Sequence, residues 1–168
     1  MQKRHFLKLG MASAAALALV GGGLALVSPG LTGGKLSSAG QMVFMAVGKA
    51  VLDGSLPKEP EAQNTALAGM LSRIDGLVAS LPTHVQSELS QLLAVLASGA
   101  GRHALAGLSQ DWTSASVAQV QAALQEMRTS SFAMRQQAYH ALHDIVGGAY
   151  FSDPSTWVQL GYPGPMKI

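Results

Sequence analysis

The sequence predicts an all-α protein: a compact antiparallel bundle of about five to six helices with an extended aromatic and proline-rich C-terminal tail. Hydrophobic residues make up 48% of the chain but aromatic residues only 5%, so most apolar side chains are of the kinds that favour helix packing over sheets. Apolar positions recur at helical spacing, and no convincing run of strand alternation is present. The predicted helices are joined by short loops, which is typical of a bundle.

The length, charge and cysteine content of the chain exclude several classes of function. A chain of 168 residues suffices for one helical domain with a core of its own. Three of the 11 Lys and Arg residues lie in the first eight positions, which leaves eight against nine Asp and Glu residues in the rest. The body is therefore nearly neutral and lacks the basic stripe that nucleic-acid binding requires. The absence of cysteine excludes disulfides, thiolate nucleophiles, Cys-ligated metals and covalently attached c-type haem on this chain.

Residues 1–34 are predicted to be an export leader of the twin-arginine type. The first residues are similar to the consensus of such leaders, with Lys3 in the place of the first arginine; the matching residues are Lys3, Arg4, Phe6, Leu7 and Lys8. An uncharged, Ala- and Gly-rich apolar stretch, 11–27, follows. The alternative is an ordinary N-terminal membrane anchor. Cleavage after Gly23-Leu-Ala25, cleavage after Ser28-Pro-Gly30, and retention of the leader all stay open.

Residues 35–150 are predicted to form the helical domain. Ser37 or Ser38 caps a first helix that runs to about Leu52, and a second helix follows Pro60. A third helix is capped by Thr83. The side chains expected to face inward on these three helices are Phe44, Val47, Val51, Leu67, Met70, Leu71, Ile74, Leu77, Val78, Leu81, Val85, Leu89, Leu92, Leu93 and Leu96.

The second half of the domain continues the pattern. Gly99 and Gly101 are expected to interrupt the chain before a short fourth helix, Arg102–Leu108, and Trp112 falls in the polar loop that follows. Ser114 or Ser116 caps a fifth helix. The sixth helix runs from about Ser131 to Tyr150. The inward residues of these last two helices are expected to be Val117, Val120, Leu124, Met127, Phe132, Tyr139, Leu142, Ile145, Val146 and Ala149.

Residues 151–168 are predicted to be an extended docking tail. Asp153-Pro154 starts one helical turn that Gly161 ends, and Pro163 and Pro165 keep the chain extended beyond it. The segment from Tyr150 to Tyr162 holds four of the nine aromatic residues. Because aromatic residues dominate interface hot spots, we expect a partner-binding role for Tyr150, Phe151, Trp157, Tyr162 and Pro163. Alternatively, Trp157 and Tyr162 fold back over the core of the bundle.

Few residues of this sequence are candidates for a catalytic or metal-binding site. His140, His143 and Asp144 lie within one turn of a helix, a set that could bind zinc or iron or simply form a polar stripe. The Glu-x-x-His pairs of di-metal bundles, nucleophile elbows and phosphate loops are absent from the sequence. We therefore expect no catalytic residue and no cofactor or metal on this chain, and hence not an enzyme by itself.

Several segments together resemble one family. They are the leader, Ala50-Val-Leu-Asp-Gly-Ser-Leu-Pro57, Arg135-Gln-Gln-Ala-Tyr-His-Ala-Leu-His143, and Tyr150-Phe-Ser-Asp-Pro-Ser-Thr-Trp157 running into Gly161-Tyr-Pro-Gly164. In these segments the chain resembles the small subunits of membrane-bound, FAD-containing dehydrogenases, of the gluconate 2-dehydrogenase subunit 3 kind. Of these segments, the C-terminal motif is the distinctive one.

The resemblance implies a non-catalytic role in an oxidoreductase complex. In such complexes a large subunit of the glucose-methanol-choline type binds FAD and oxidises an alcohol or sugar, and a cytochrome c subunit often passes the electrons towards quinone. The small subunit assists maturation and carries the signal by which the twin-arginine translocase exports the folded large subunit to the periplasm or the periplasmic face of the inner membrane. The alternative function is a free-standing periplasmic helical protein that binds a ligand or metal through His140, His143 and Asp144.

Overall fold

The computed structural model describes residues 28–164, and within them the predicted all-α bundle is confirmed. The leader residues Lys3, Arg4, Phe6, Leu7 and Lys8 lie outside this range. The elements in order are a hairpin of β1 Leu31–Thr32 and β2 Lys35–Leu36, then α1 Ser38–Val51, α2 Pro60–Ser80, α3 Thr83–Ala97, α4 Gly99–Ala106, α5 Val117–Thr129, α6 Ala133–Phe151, and a 3₁₀-helix, Pro154–Leu160.

Helix α1 lies at the centre of the bundle and contacts α2, α3, α5 and α6. Its side chains Val43, Phe44 and Val47 are fully buried. Small residues let the neighbours approach closely: a Cβ on Gly48 would lie 2.7 Å from Met70 Cε on α2. Burial extends around most of α1, as expected for a helix enclosed by others, whereas the sequence pattern predicted a single stripe.

The helix starts follow the capping predictions with one exception. Ser37 caps α1 by accepting a hydrogen bond from Gly40 N–H. Ser116 and Gln119 form a reciprocal capping box at the start of α5, which satisfies donors that the helix itself leaves unpaired. The prediction for α3 was wrong, because Thr83 is the first helical residue and no side chain caps that end.

The segment after α3 also differs from its prediction. Gly99 and Gly101 do not interrupt the chain but belong to α4, because Ser98 caps this helix by accepting from Gly101 N–H. A Cβ on Gly101 would lie 2.6 Å from Val95 Cγ1, so the turn between α3 and α4 requires a residue without a side chain. Trp112, expected in a polar loop, is only 2% exposed and belongs to the core.

Two apolar residues of the predicted inward set face solvent. Phe132 is 70% exposed, because it occupies the N-cap position of α6 and not a helical position. Leu77 on α2 is also exposed, although it shares the helical spacing of its buried neighbours Ile74 and Val78. No helix within residues 28–164 is long and apolar enough to cross a membrane.

The N-terminal hairpin spans residue 34, the boundary expected between the leader and the helical domain. Leu31 and Leu36 are paired across the two strands, and both side chains are buried in the core. Gly33 and Gly34 form the turn with positive φ angles of 59° and 75°, which glycine adopts without the strain a Cβ would cause. The folded domain therefore begins before residue 35, within the segment assigned to the leader.

Candidate interaction surface at the C-terminal end

The end of α6 is anchored to the bundle by Tyr150. This side chain is 2% exposed, and its hydroxyl donates a hydrogen bond to the Ser55 carbonyl oxygen at 2.9 Å. Burial raises the pKa of Tyr150 above its usual value, which keeps the hydroxyl protonated as a donor. Phe151 is partly buried against the core. Tyr150 is therefore a core residue, and its partner-binding role stays a prediction.

A second anchor fixes the start of the 3₁₀-helix. Arg73 on α2 donates from Nε to the Ala149 carbonyl oxygen at 2.6 Å, and its Nη1 lies 3.1 Å from Asp153 Oδ2. The other carboxylate oxygen of Asp153 accepts from Ser155 N–H at 2.9 Å. This hydrogen bond from Ser155, with a further contribution from the Arg73 charge, lowers the pKa of Asp153 below its usual value. Asp153 is thus both the cap of the 3₁₀-helix and its link to α2.

The predicted turn is confirmed, and it is longer than one turn. Residues 154–160 are helical and not extended, and Gly161 ends the helix with a φ of 66°. The chain was predicted to be extended beyond Gly161, and the structure describes residues 162–164 of that part. Residues 165–168, with Pro165, lie outside the range that the structure describes.

Trp157 holds this segment together from within. Its indole Nε1 donates to the Phe151 carbonyl oxygen at 2.7 Å, and its ring packs edge-on to Tyr162 with 5.3 Å between the ring centroids. Gly164 lies beside the indole, where an added Cβ would be 3.5 Å from the ring. Neither Trp157 nor Tyr162 belongs to the hydrophobic core or to the residues packed on it. The two rings brace the C-terminal segment and do not cover the bundle.

Several exposed side chains of this segment are apolar. In residues 28–164, six large hydrophobic side chains are exposed, and three of them lie within five residues: Val158 at 83%, Leu160 at 54% and Tyr162 at 48%. We call these three residues the C-terminal apolar surface. Isolated exposed hydrophobic residues are ordinary, but a cluster held on a fixed base is a feature of interaction sites.

The sequence analysis missed Val158 and Leu160. A helix of two turns has one face to pack, and the buried Thr156 and the partly buried Trp157 occupy it. Two apolar residues that closely follow a Trp in so short an element were the available signal. Of the predicted partner-binding residues, Tyr162 and Pro163 are exposed, while Phe151 and Trp157 are partly buried.

The histidine cluster lies on the exposed face of α6. His143 Nδ1 is 3.1 Å from Asp144 Oδ1, its neighbour in sequence. His140 and His143 both pack against the ring of Tyr139, edge-on at 5.2 Å and stacked at 5.4 Å. No group of three or more His, Cys, Asp or Glu side chains in residues 28–164 is arranged to hold a metal ion. The contacts recorded for these three side chains lie within α6 itself.

Two surface recesses lie elsewhere on the bundle. One, of about 290 Å³, lies between the hairpin turn and the start of α3, and its lining includes Gln86, Ser87 and Gln91 but no charged side chain. The other, of about 270 Å³, lies beside the loop after α1 and is lined in part by Lys49, Asp53 and Lys58. The first recess offers hydroxyl and amide groups but no side chain that could act as a general base.

Comparisons with known proteins add no assignment. No protein-family model matches the chain, and no curated protein or solved structure is significantly similar to it. The family resemblance therefore stays a prediction, and the function is argued from the C-terminal apolar surface.

Proposed function

We propose that this chain is the non-catalytic small subunit of a periplasmic or membrane-bound FAD-dependent alcohol or sugar dehydrogenase. It assists maturation of the folded catalytic subunit and its export by the twin-arginine pathway. The observation that carries the proposal is the C-terminal apolar surface, because it lies in the same segment whose motif is the distinctive part of the family resemblance. FAD is expected on the large subunit, and haem c on a third, cytochrome subunit.

The base of this surface is suited to binding a partner. Asp153 is fixed to α2 through Arg73, and Trp157 is fixed to the end of α6 through Phe151. A surface that is already ordered before association avoids part of the entropy cost of binding. Val158, Leu160 and Tyr162 can therefore be buried by a partner without a folding step in this segment.

The number of residues in the C-terminal apolar surface limits its share of an interface. Three side chains are far fewer than the 20 to 30 residues that each partner typically contributes to a stable interface. They match instead the few residues that carry most of the binding energy at the centre of an interface. The large subunit is expected to cover further residues around them on the exposed face of α6.

The chemistry of the complex is assigned to the partner. The side chains of residues 28–164 form no metal-binding group, and the sequence has no cofactor motif. This chain supplies instead the basic pair Lys3 and Arg4, which precede an uncharged apolar run, together with a surface that keeps the partner attached during export.

Removing the basic pair tests this proposal. In the Lys3→Gln, Arg4→Gln double variant, both this chain and the FAD-containing subunit should stay in the cytoplasm, measured by immunoblotting of periplasmic and cytoplasmic fractions. The matched control, Lys35→Gln with Lys58→Gln, removes two exposed positive charges from the body and should leave both proteins in the periplasm. Normal periplasmic levels of the FAD subunit in the first variant would contradict the proposed role.

The alternative function gives a different result on the purified chain. Alone, this chain should bind no flavin and no stoichiometric metal, measured by absorbance and by elemental analysis. One zinc or iron ion per chain, lost in the His140→Ala, His143→Ala variant, would favour the free-standing metal-binding protein instead.

A further inference from the structure

The segment that joins the leader to the bundle is packed into the fold from Gly30 onward. Leu31 N–H donates to Ser90 Oγ on α3 at 3.1 Å. The Gly30 carbonyl oxygen accepts from Ser37 N–H at 3.0 Å. The Ser37 hydroxyl oxygen lies 2.6 Å from the Pro29 carbonyl oxygen and 3.0 Å from that of Gly30. Both polar groups of the Gly30–Leu31 peptide bond are thus occupied by the protein itself. This is the bond that follows Ser28-Pro-Gly30, one of the two candidate cleavage positions.

Close packing of two glycines reinforces these hydrogen bonds. A Cβ on Gly30 would overlap with Leu93 and would lie 2.6 Å from the Ser90 carbonyl oxygen. A Cβ on Gly40, in the first turn of α1, would overlap with the Gly30 carbonyl oxygen. The backbone of residue 30 is therefore enclosed between α1 and α3 at distances that only glycine permits at both positions.

The other strand of the hairpin is fixed to a third helix. Leu36 N–H donates to Asp75 Oδ1 on α2 at 2.7 Å. The side chains of Leu31 and Leu36 are both buried in the core, and the two residues are paired across the hairpin. Opening the hairpin therefore exposes apolar surface and breaks contacts with α1, α2 and α3 together.

We propose that, once the chain has folded, the hairpin protects the Gly30–Leu31 bond from cleavage by a leader peptidase. The inference rests on the proposed export function, in which the folded chain reaches the membrane with its leader attached. Hydrolysis adds water to the Gly30 carbonyl carbon, breaks the C–N bond and leaves the proton on the new Leu31 amine. A peptidase must bind the carbonyl oxygen with its own donors, and here Ser37 already occupies that oxygen.

Protection of the Gly30–Leu31 bond excludes one of the two candidate cleavage positions. The exported chain keeps Pro29–Leu36, so processing occurs on the N-terminal side of Ser28, after Gly23-Leu-Ala25, or the leader is retained. The hairpin also makes accessibility of the junction depend on folding, because proteases act on backbone that opens locally.

The rate of trypsin cleavage after Lys35 measures how well the hairpin is protected. Lys35 has an exposed side chain, while the following Leu36 N–H is bound to Asp75. Digestion of the purified full chain should leave the Lys35–Leu36 bond intact in the wild type. In Gly40→Ala the bond should be cut roughly tenfold faster or more, because the added methyl displaces Gly30. Gly76→Ala, a helix glycine with open space around its Cβ position, should behave as the wild type.

A milder variant covers the case in which Gly40→Ala does not fold. Ser90→Ala removes the acceptor of Leu31 N–H without adding an atom, and it should also accelerate cleavage at Lys35. Equal cleavage rates in the wild type, Ser90→Ala and Gly76→Ala would overturn the proposal that the hairpin protects this junction. Because this assay uses the purified chain, it can fail while the export experiment succeeds, and the reverse.

The mass of the exported chain provides the second measurement. Mass spectrometry of the wild-type chain from the periplasm should find no species that begins at Leu31. A wild-type chain that begins at Leu31 would overturn the proposal. Gly40→Ala leaves Ser28-Pro-Gly30 unchanged, and a fraction of this variant is expected to begin at Leu31.

Discussion

The two tryptophans make the same hydrogen bond in two different settings. Each indole Nε1 donates to a backbone carbonyl oxygen at 2.7 Å, Trp112 to Leu96 and Trp157 to Phe151. Trp112 is 2% exposed within the hydrophobic core, whereas Trp157 is partly buried and outside it. The acceptor of Trp112 is 16 residues away in α3, whereas the acceptor of Trp157 is only six residues away, at the end of α6. The contacts of the ring, and not the hydrogen bond, decide whether a tryptophan holds the fold or a local segment.

The parts of the chain around Trp112 and Trp157 also differ in how they are fixed to the bundle. The loop around Trp112 is fixed by Arg102, whose buried guanidinium contacts Asp111 Oδ1 at 2.7 Å and donates to the Leu108 carbonyl oxygen. The segment around Trp157 is fixed at its start by Arg73 and Asp153, and beyond that point it exposes Val158 and Leu160. The first region completes the core, and the second presents apolar surface outward.

The largest effect on stability is expected at Trp112. Trp112→Ala should lower the free energy of unfolding by about 3–5 kcal/mol, because it leaves a cavity in the core and an unpaired Leu96 carbonyl oxygen. Urea denaturation followed by circular dichroism measures this change. A loss below about 1 kcal/mol would mean that Trp112 does not support the core as its burial indicates.

Trp157→Ala should have a much smaller effect on the same measurement. The substitution removes one hydrogen bond and the contact with Tyr162, so the C-terminal segment loosens while the bundle unfolds as before. We expect a loss of about 1 kcal/mol or less. A loss as large as that of Trp112→Ala would show that the segment is part of the cooperative core, which would contradict the contrast between the two residues.

Acid should separate the two tryptophans without any substitution. The pKa of Asp153 is lowered in the folded protein, so its contribution is complete above the unfolded pKa and is lost as the pH falls through the folded pKa. The NMR signal of the Trp157 indole N–H should therefore shift below about pH 4, the ordinary range of an Asp carboxyl. The Trp112 signal, whose loop is fixed by Arg102 and Asp111, should be independent of Asp153.

Asp153→Asn is the matched control for this titration. It keeps a side-chain oxygen that can cap the 3₁₀-helix but removes the titrating carboxyl. The acid-dependent shift of the Trp157 signal should disappear in this variant. Its persistence would assign the transition to another group.

The helices could be predicted from the sequence because their apolar spacing is regular. The start of α1 at Ser37 and the start of α5 at Ser116 follow from capping residues placed before apolar runs. Phe132 was placed inward because it continues the spacing of α6, yet it is the N-cap residue and is exposed. Periodicity locates a helix face but does not determine which residue begins the helix.

The hairpin and the C-terminal apolar surface could not be predicted in the same way. Strands of two residues are too short to show alternation, and the Gly33-Gly34 pair, a known hairpin signal, fell within the segment assigned to the leader. Trp157 was expected to bind a partner or cover the core, but it pairs with the backbone of its own segment. Such contacts depend on how the segment turns back, which residue types alone do not specify.

The affinity for the dehydrogenase subunit tests the central claim most directly. Once a FAD-containing dehydrogenase co-purifies with this chain, its Kd is measured for the wild type and for Val158→Ser with Leu160→Ser. Because both side chains are exposed, the double variant should keep its melting temperature and lose about 2 kcal/mol of binding energy, roughly thirtyfold in Kd. The control Phe132→Ser, an exposed apolar residue at the opposite end of α6, should bind as the wild type does. An unchanged Kd for the double variant, or a loss confined to Phe132→Ser, would contradict docking through the C-terminal apolar surface.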